Sequence, residues 1–257
     1  MESKNSHGHT VDKQFGSQAQ DYLTSTVHSQ GADLQRLAAL LQSHPDAVVI
    51  DLGCGAGHAS FVAANAVKSV VAYDLSAQML EVVASAAKDK GLENISVQQG
   101  YAESLPFADN SADVIISRYS AHHWHDVGQA LREARRVLKP GGQFIMMDLA
   151  SVGDPVKDIF LQTIEKLRDN SHVHNYAPGE WLSLFTEAGF LVQELTSGRT
   201  PLEFTSWVER MRTPQHFVVA IRELQKVMSD EVIQHFDIQP DGSFTVDLAF
   251  IVAKKAG

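Results

Sequence analysis

Two groups of residues in this 257-residue chain have types and spacing suited to chemistry. The first is Asp51-Leu52-Gly53-Cys54-Gly55-Ala56-Gly57, an acid followed by glycines at every second position, with a lone acid, Asp74, about 20 residues further on. Glycine in a strand-to-helix turn lets the backbone approach a ligand closely, and the helix behind it presents unpaired N–H groups. A carboxylate at the tip of the neighbouring strand can accept both hydroxyls of a ribose, or it can cap the helix that begins at Ser76. The second group is His122-His123-Trp124-His125. Imidazole titrates near neutral pH, so one of these rings suits a general base, and His122 and His123 are the candidates to face a substrate. Adjacent histidines rarely converge on one ion and no carboxylate pattern completes such a site, so no metal is expected; packing or helix capping accounts for at least one of the rings. Arg118, in Ser117-Arg118-Tyr119, can bind an acidic group of a substrate or the carboxylate of a cofactor, or form a surface ion pair.

The glycine turn and its acid together point to a nucleoside. Dinucleotide sites space their glycines G-x-G-x-x-G, because a pyrophosphate needs the wider cradle. Here Gly53, Gly55 and Gly57 are more tightly spaced, and Asp51 precedes them. That arrangement suits S-adenosylmethionine, which carries no phosphate and has a cationic amino group for the acid to organise. An NAD-dependent oxidoreductase, and a protein that binds adenosylmethionine or adenosylhomocysteine without turnover, are the alternatives.

These residues must be held by a scaffold, and its elements are visible as alternating patterns. Val48-Val49-Ile50, Val70 to Tyr73, Ile95 to Val97, Val114 to Ile116 and Phe144 to Met147 read as strands; Ala59 to Ala66, Ala77 to Lys88 and Val127 to Leu138 read as the helices between them. Strands separated by helical crossovers predict parallel pairing in a doubly wound α/β sheet. Ahead of it, residues 18–42 read as one or two amphipathic helices. Behind it, Val156 to Arg168 and Gly179 to Ala188 read as helices, Gly189 as a C-cap, Phe190-Leu191-Val192 and Phe244 to Val252 as strands, and residues 201–236 as two helical patterns interrupted at Pro214. The chain is expected to be a single domain, 1–257: an N-terminal helical segment (1–45), a cofactor-binding core (46–150), and helical insertions (151–188 and 197–240) that cap a substrate pocket. His172, His174, Tyr176 and Trp181 fall in the first insertion, where a core role is preferred to a place in the cap lining.

Composition narrows the partners. A formal net charge of -10 works against nucleic acid, since phosphates repel an acidic body. A single cysteine, Cys54, permits no intramolecular disulfide and no cysteine-based metal site, which suits a reducing cytoplasm. The first ten residues do not read as a secretory signal, and no apolar run approaches the roughly 20 residues of a membrane span. A small-molecule substrate is expected, without membrane or nucleic acid; the oligomeric state is not readable.

Four ordered motifs, Asp51 to Gly57, Asp74, Ala102-Glu103-Ser104-Leu105-Pro106-Phe107 and Arg136 to Gly142, resemble those of class I S-adenosylmethionine-dependent methyltransferases, especially the small-molecule branch of ubiquinone and menaquinone C-methyltransferases. The resemblance is strong from Val48 to Leu149. It implies a seven-stranded Rossmann-like sheet with an antiparallel last strand, and S-adenosylmethionine as cofactor. It places Gly53, Ala56 and Gly57 under the methionine portion, Asp74 at the ribose, Leu75 on the adenine, Tyr101, Ala102 and Glu103 along the adenine edge, and Ser117 near the methionine end. Many relatives carry Asp where this chain has Tyr101, so the adenine amino group loses its usual side-chain partner here. Phe15 and Tyr22 match aromatic positions of the family's N-terminal helix, where a ring can face a sulfonium or simply pack on the sheet. Lys139 to Gly142 reads as a turn that starts a strand.

Overall fold

The computed structural model describes residues 6–16 and 31–256. Tyr22 lies outside the described residues. Strands β1 (Val48–Leu52), β2 (Ser69–Asp74), β3 (Ile95–Gln99), β4 (Ala112–Arg118) and β5 (Leu138–Ala150) pair in parallel, and β7 (Phe244–Lys255) runs antiparallel between β5 and β6 (Phe190–Leu202). The order across the sheet is β3-β2-β1-β4-β5-β7-β6. The helices are α1 (His7–Gly16), α2 (Ala32–Leu41), α3 (His58–Ala64), α4 (Ala77–Asp89), α5 (Val127–Val137), α6 (Pro155–Arg168), α7 (Pro178–Glu187), α8 (Phe204–Arg210), α9 (Gln215–Val227) and α10 (Asp230–Phe236).

β1 is central and covered on both faces, which is why it opens on the apolar run Val48-Val49-Ile50 rather than an alternating pattern. Val49 packs with Leu34, Leu37 and Leu41 of α2 and with Ala59 and Ala63 of α3. Ile50 and Leu52 point to the opposite layer, with Leu131 and Ala134 of α5 and Trp181 and Phe185 of α7. Helix starts follow capping chemistry: Asp126 accepts the Gln129 N–H ahead of α5, and Asp154, followed by Pro155, accepts the Val156 and Lys157 N–H groups ahead of α6. Gly189, just past α7, has φ +84°, as a left-handed terminator requires.

The later part of the chain departs from its sequence pattern. β6 extends to Leu202, beyond the apolar triplet at its start, because it pairs with β7 along its whole length. The following segment forms three helices, α8, α9 and α10, where periodicity suggested two. They close around Phe160, Trp207, Ile221, Val232, Phe236 and Phe244 in an apolar cluster separate from the two that cover the sheet.

Candidate functional site

The sheet reverses its winding between β1 and β4, and an open α/β sheet binds ligands in the crevice at the carboxyl ends of its strands where that happens. A cavity of about 1140 Å³, open solvent included, lies there. Its floor is the turn from Gly53 to Ala56, and Asp51, Asp74, Leu75, Tyr101, Ala102, Glu103 and Arg118 all contribute to its walls. Gly53, Gly55 and Gly57 all have positive φ (73°, 51° and 86°), a backbone that residues with a Cβ rarely adopt. Their surroundings differ. A Cβ on Gly53 would lie 1.8 Å from Ser120 Oγ, and one on Gly57 would press on Val83 and Phe61, whereas one on Gly55 meets nothing within 4 Å. Gly53 and Gly57 thus allow close packing, and Gly55 keeps the cavity floor clear.

Asp51 has no exposed surface. Its Oδ2 accepts the Ser60 hydroxyl at 2.5 Å, and its Oδ1 has no hydrogen-bond partner. Burial, against a smaller opposing effect of the Ser60 bond, pushes this carboxyl up to about 7. Asp74, at the end of β2, accepts the Gly55 N–H on Oδ2 (2.8 Å) and the Ser76 N–H on Oδ1 (2.9 Å). It therefore ties the glycine turn to β2 and, by holding the Ser76 N–H, fulfils the capping reading of this residue. Burial raises its pKa as well.

Along the β2 and β3 side, Tyr101 packs against α1: a Cβ on Gly8 would come within 2.6 Å of its ring. His7, Gly8, Val11 and Phe15 of α1 close this side of the cavity. Glu103 lines the cavity, but its Oε1 accepts the His125 (2.9 Å) and Asp126 (3.2 Å) N–H groups, so it anchors the loop ahead of α5. Residues 101–107 are held from behind by Arg136, which donates to the carbonyls of Leu105 and Phe107, and by Glu133, which accepts the Leu105 N–H.

On the β4 side, Ser117 and His122 differ from expectation. Ser117 is fully buried and outside the cavity lining, because alternation along β4 turns it into the sheet; Ser120, in the loop beyond, lines the cavity instead and accepts the Trp124 indole N–H at 3.0 Å. His122 is likewise outside the lining. The short 3-10 turn Ala121–His123 directs its ring away, with Nδ1 2.6 Å from Asp148 Oδ1. Burial opposes charge on this ring, but the Asp148 carboxylate and, more weakly, Glu165 and Asp169 outweigh it and raise its pKa. His123 does line the cavity, edge-on to Phe15 with ring centroids 4.9 Å apart. Burial and the neighbouring His122 lower its pKa, so it is held neutral. Arg118 is paired with Asp33 of α2 at 2.5 Å, both side chains largely buried, rather than in a surface ion pair. Of the first insertion, Trp181 is in the core and His172 is buried behind the two histidines; no residue of 151–188 or 197–240 lines the cavity among the described residues.

Sequence reasoning missed Tyr119, Ser120 and the α1 residues His7, Gly8 and Val11. Tyr119 lines the cavity with φ 51°, a strained conformation for a residue with a side chain, fixed by its N–H bond to the Met147 carbonyl at 2.9 Å. No local pattern announces such a residue. The α1 residues arrive from a distant part of the chain, where their polar composition gave no amphipathic signal.

Residues 50–146 match the family described as Methyltransferase domain. The chain is 59% identical to the uncharacterised protein YafE of Escherichia coli (strain K12), over 79% of this chain and 99% of that one. It is 38% identical to the methyltransferase YcgJ of Bacillus subtilis (strain 168), over 80% of this chain and 81% of that one. The crystal structure of YcgJ aligns with a TM-score of 0.84 at 35% identity, covering 88% of this chain and 98% of that one. A malonyl-[acyl-carrier protein] O-methyltransferase of Yersinia pestis is 31% identical over 80% of this chain and 74% of that protein.

Proposed function

Since this chain belongs to the class I S-adenosylmethionine-dependent methyltransferases, we propose that its acceptor is a small molecule and that His123 takes the proton the acceptor loses. The residues present suit the cofactor. Asp51 offers a buried, unpartnered oxygen to an ammonium, Asp74 has lone pairs left beyond its two backbone bonds for ribose hydroxyls, and Gly55 leaves open the space a side chain would fill. Leu75, Tyr101 and Ala102 stand where they can flank an adenine, and Ala56 completes the floor, whereas Gly57, expected there, lies outside the lining and packs against Val83 and Phe61. S-adenosylmethionine, when bound, supplies a methyl carbon activated by positively charged sulfur.

The protein then has to align an acceptor and exclude water from it. The single observation that supports a small acceptor is the shape of the cavity. Among the described residues it is a concave crevice bordered by α1, the glycine turn and the 119–125 loop. His123, Phe15, Tyr119 and Trp124 make the wall on the β4 side, and a neutral imidazole there has a lone pair for a departing proton. No helix among the described residues is long and apolar enough to cross a membrane, and the lone cysteine supports a cytoplasmic setting.

The test is adenosylhomocysteine release from the full chain incubated with S-adenosylmethionine and fractionated metabolite extract, followed by mass spectrometry. A fraction that stimulates release and gains one methyl group supports the proposal. Tight adenosylhomocysteine binding without release in any fraction would refute a small-metabolite acceptor.

A further inference from the structure

A second cleft, of about 610 Å³ with open solvent included, lies between α1 and the ends of β2 and β3. Leu75, Gly100, Tyr101 and Gly8 line both it and the main cavity, so the two spaces adjoin along these residues. The hydrogen-bonding chemistry left over in the cleft is one-sided. Gln99 gives an amide N–H to the Leu75 carbonyl at 2.9 Å, which leaves its side-chain oxygen as the group to offer. The Gly100 N–H is taken by the Asp74 carbonyl at 3.0 Å. Asp12, one helical turn after Gly8, adds a half-buried carboxylate to the cleft wall. It lies near enough to Asp74 for its charge to raise that carboxyl, more weakly than burial does. The exposed His9 ring can serve either way. Donors are thus used within the protein while acceptors remain, which suits a ligand edge that donates.

On the reading that the main cavity holds the adenosyl group, we propose that this cleft receives the amino edge of the adenine and that Asp12 selects adenine over a 6-oxopurine. The order of the sheet sets the direction. Asp51 belongs to β1 and Asp74 to the neighbouring β2, and β3 lies on the far side of β2. An ammonium at Asp51 and a ribose at Asp74 therefore send the base on towards β3, and its exocyclic group, at the end remote from the sugar, reaches the boundary between the two spaces. An adenine presents two N–H hydrogens there, which the Asp12 carboxylate and the Gln99 oxygen can accept. A 6-oxopurine presents a carbonyl oxygen instead, and oxygen then faces carboxylate with no hydrogen between them. Tyr101 contributes by its size. Its ring fills the space under Gly8, where a Cβ would come within 2.6 Å of it, and so seats α1 with Asp12 one turn further on. Glu103, the acid in the turn after β3, is committed to the His125 and Asp126 N–H groups, so the carboxylate for the base edge comes from the helix instead.

The deciding measurement is calorimetric binding of S-adenosylhomocysteine and S-inosylhomocysteine to the full chain. The wild-type protein should prefer the adenosyl compound by about tenfold or more. Asp12→Ala should weaken the adenosyl compound about tenfold and leave the inosyl compound unchanged or more tightly bound, so that the preference disappears. Asp12→Asn can turn an amide N–H to the 6-oxo group and should bind the inosyl compound more tightly than the wild type does, a gain that a residue serving only to pack the wall would not produce. Equal weakening of both compounds by Asp12→Ala in a folded chain, or a preference that survives the substitution, overturns the role of Asp12 and leaves the main cavity a nucleoside site. If neither compound binds the wild-type protein, the reading of the main cavity falls and this proposal falls with it.

Discussion

Asp51 and Asp74 are both carboxylates in one cavity, but their hydrogen bonds give them different sensitivities. Asp51, pushed up to about 7 by burial, is only about half ionised in the ligand-free protein at neutral pH. A cationic amine binds the ionised form. Affinity for adenosylhomocysteine should therefore be flat above pH 7 and fall by up to about tenfold per unit below it, with proton release on binding. Calorimetry between pH 5.5 and 8.5 in buffers of different ionisation enthalpy would measure both, and Asp51→Asn should flatten the profile. Asp74 has a double burden, since its two oxygens hold the Gly55 and Ser76 N–H groups. Asp74→Ala should weaken adenosylhomocysteine by about 1–3 kcal/mol through loss of charge-assisted ribose contacts, and should also lower stability by about 1–2 kcal/mol, because two backbone donors lose their partner. An unchanged dissociation constant in a folded variant would remove Asp74 from the site.

The strand-turn-helix unit from β1 to α3 carries its purpose in adjacent residues, which is why the motif was legible: an apolar strand, alternating glycines and a helix follow one another without help from the rest of the chain. What the sequence does not reveal is which glycine serves packing and which serves the ligand, because the side chains against them include Ser120, from the loop after β4, and Val83, from α4. Gly53→Ala forces a Cβ onto Ser120 and should unfold the turn, lowering the melting temperature sharply. Gly55→Ala has open space in front of it and should cost only about 1–2 kcal/mol of backbone strain, yet reduce adenosylhomocysteine affinity at least about tenfold by filling the floor. Equal losses of stability would contradict this division. The histidine segment was legible only as a type of chemistry. Successive residues of a short 3-10 turn point in different directions, so the choice between His122 and His123 depended on Asp148 in β5 and Ser171 after α6, neither of which any spacing rule connects to them.

Across the whole molecule, α1 joins parts that the sheet leaves separate. His7 Nε2 bonds the His123 carbonyl at 2.8 Å, Gly8 underlies Tyr101, Phe15 meets the His123 ring, and the Gln14 side chain donates to the Met211 carbonyl at the end of α8. Only Gly16 of this helix is buried, so its own packing holds it weakly and its stability depends on what lies beneath it. A nucleoside seated between α1 and the glycine turn adds contacts to that underside. Hydrogen exchange of residues 7–16 should therefore slow markedly on adddition of adenosylhomocysteine, more than in α9, which lies outside the cavity lining. Deleting residues 1–16 should leave the sheet folded, since β1 to β7 take no core residue from α1, while weakening adenosylhomocysteine by about 1–3 kcal/mol through the lost wall. Unchanged exchange in α1 on binding, together with full affinity in the truncated chain, would show that this helix covers the cavity without closing on its ligand.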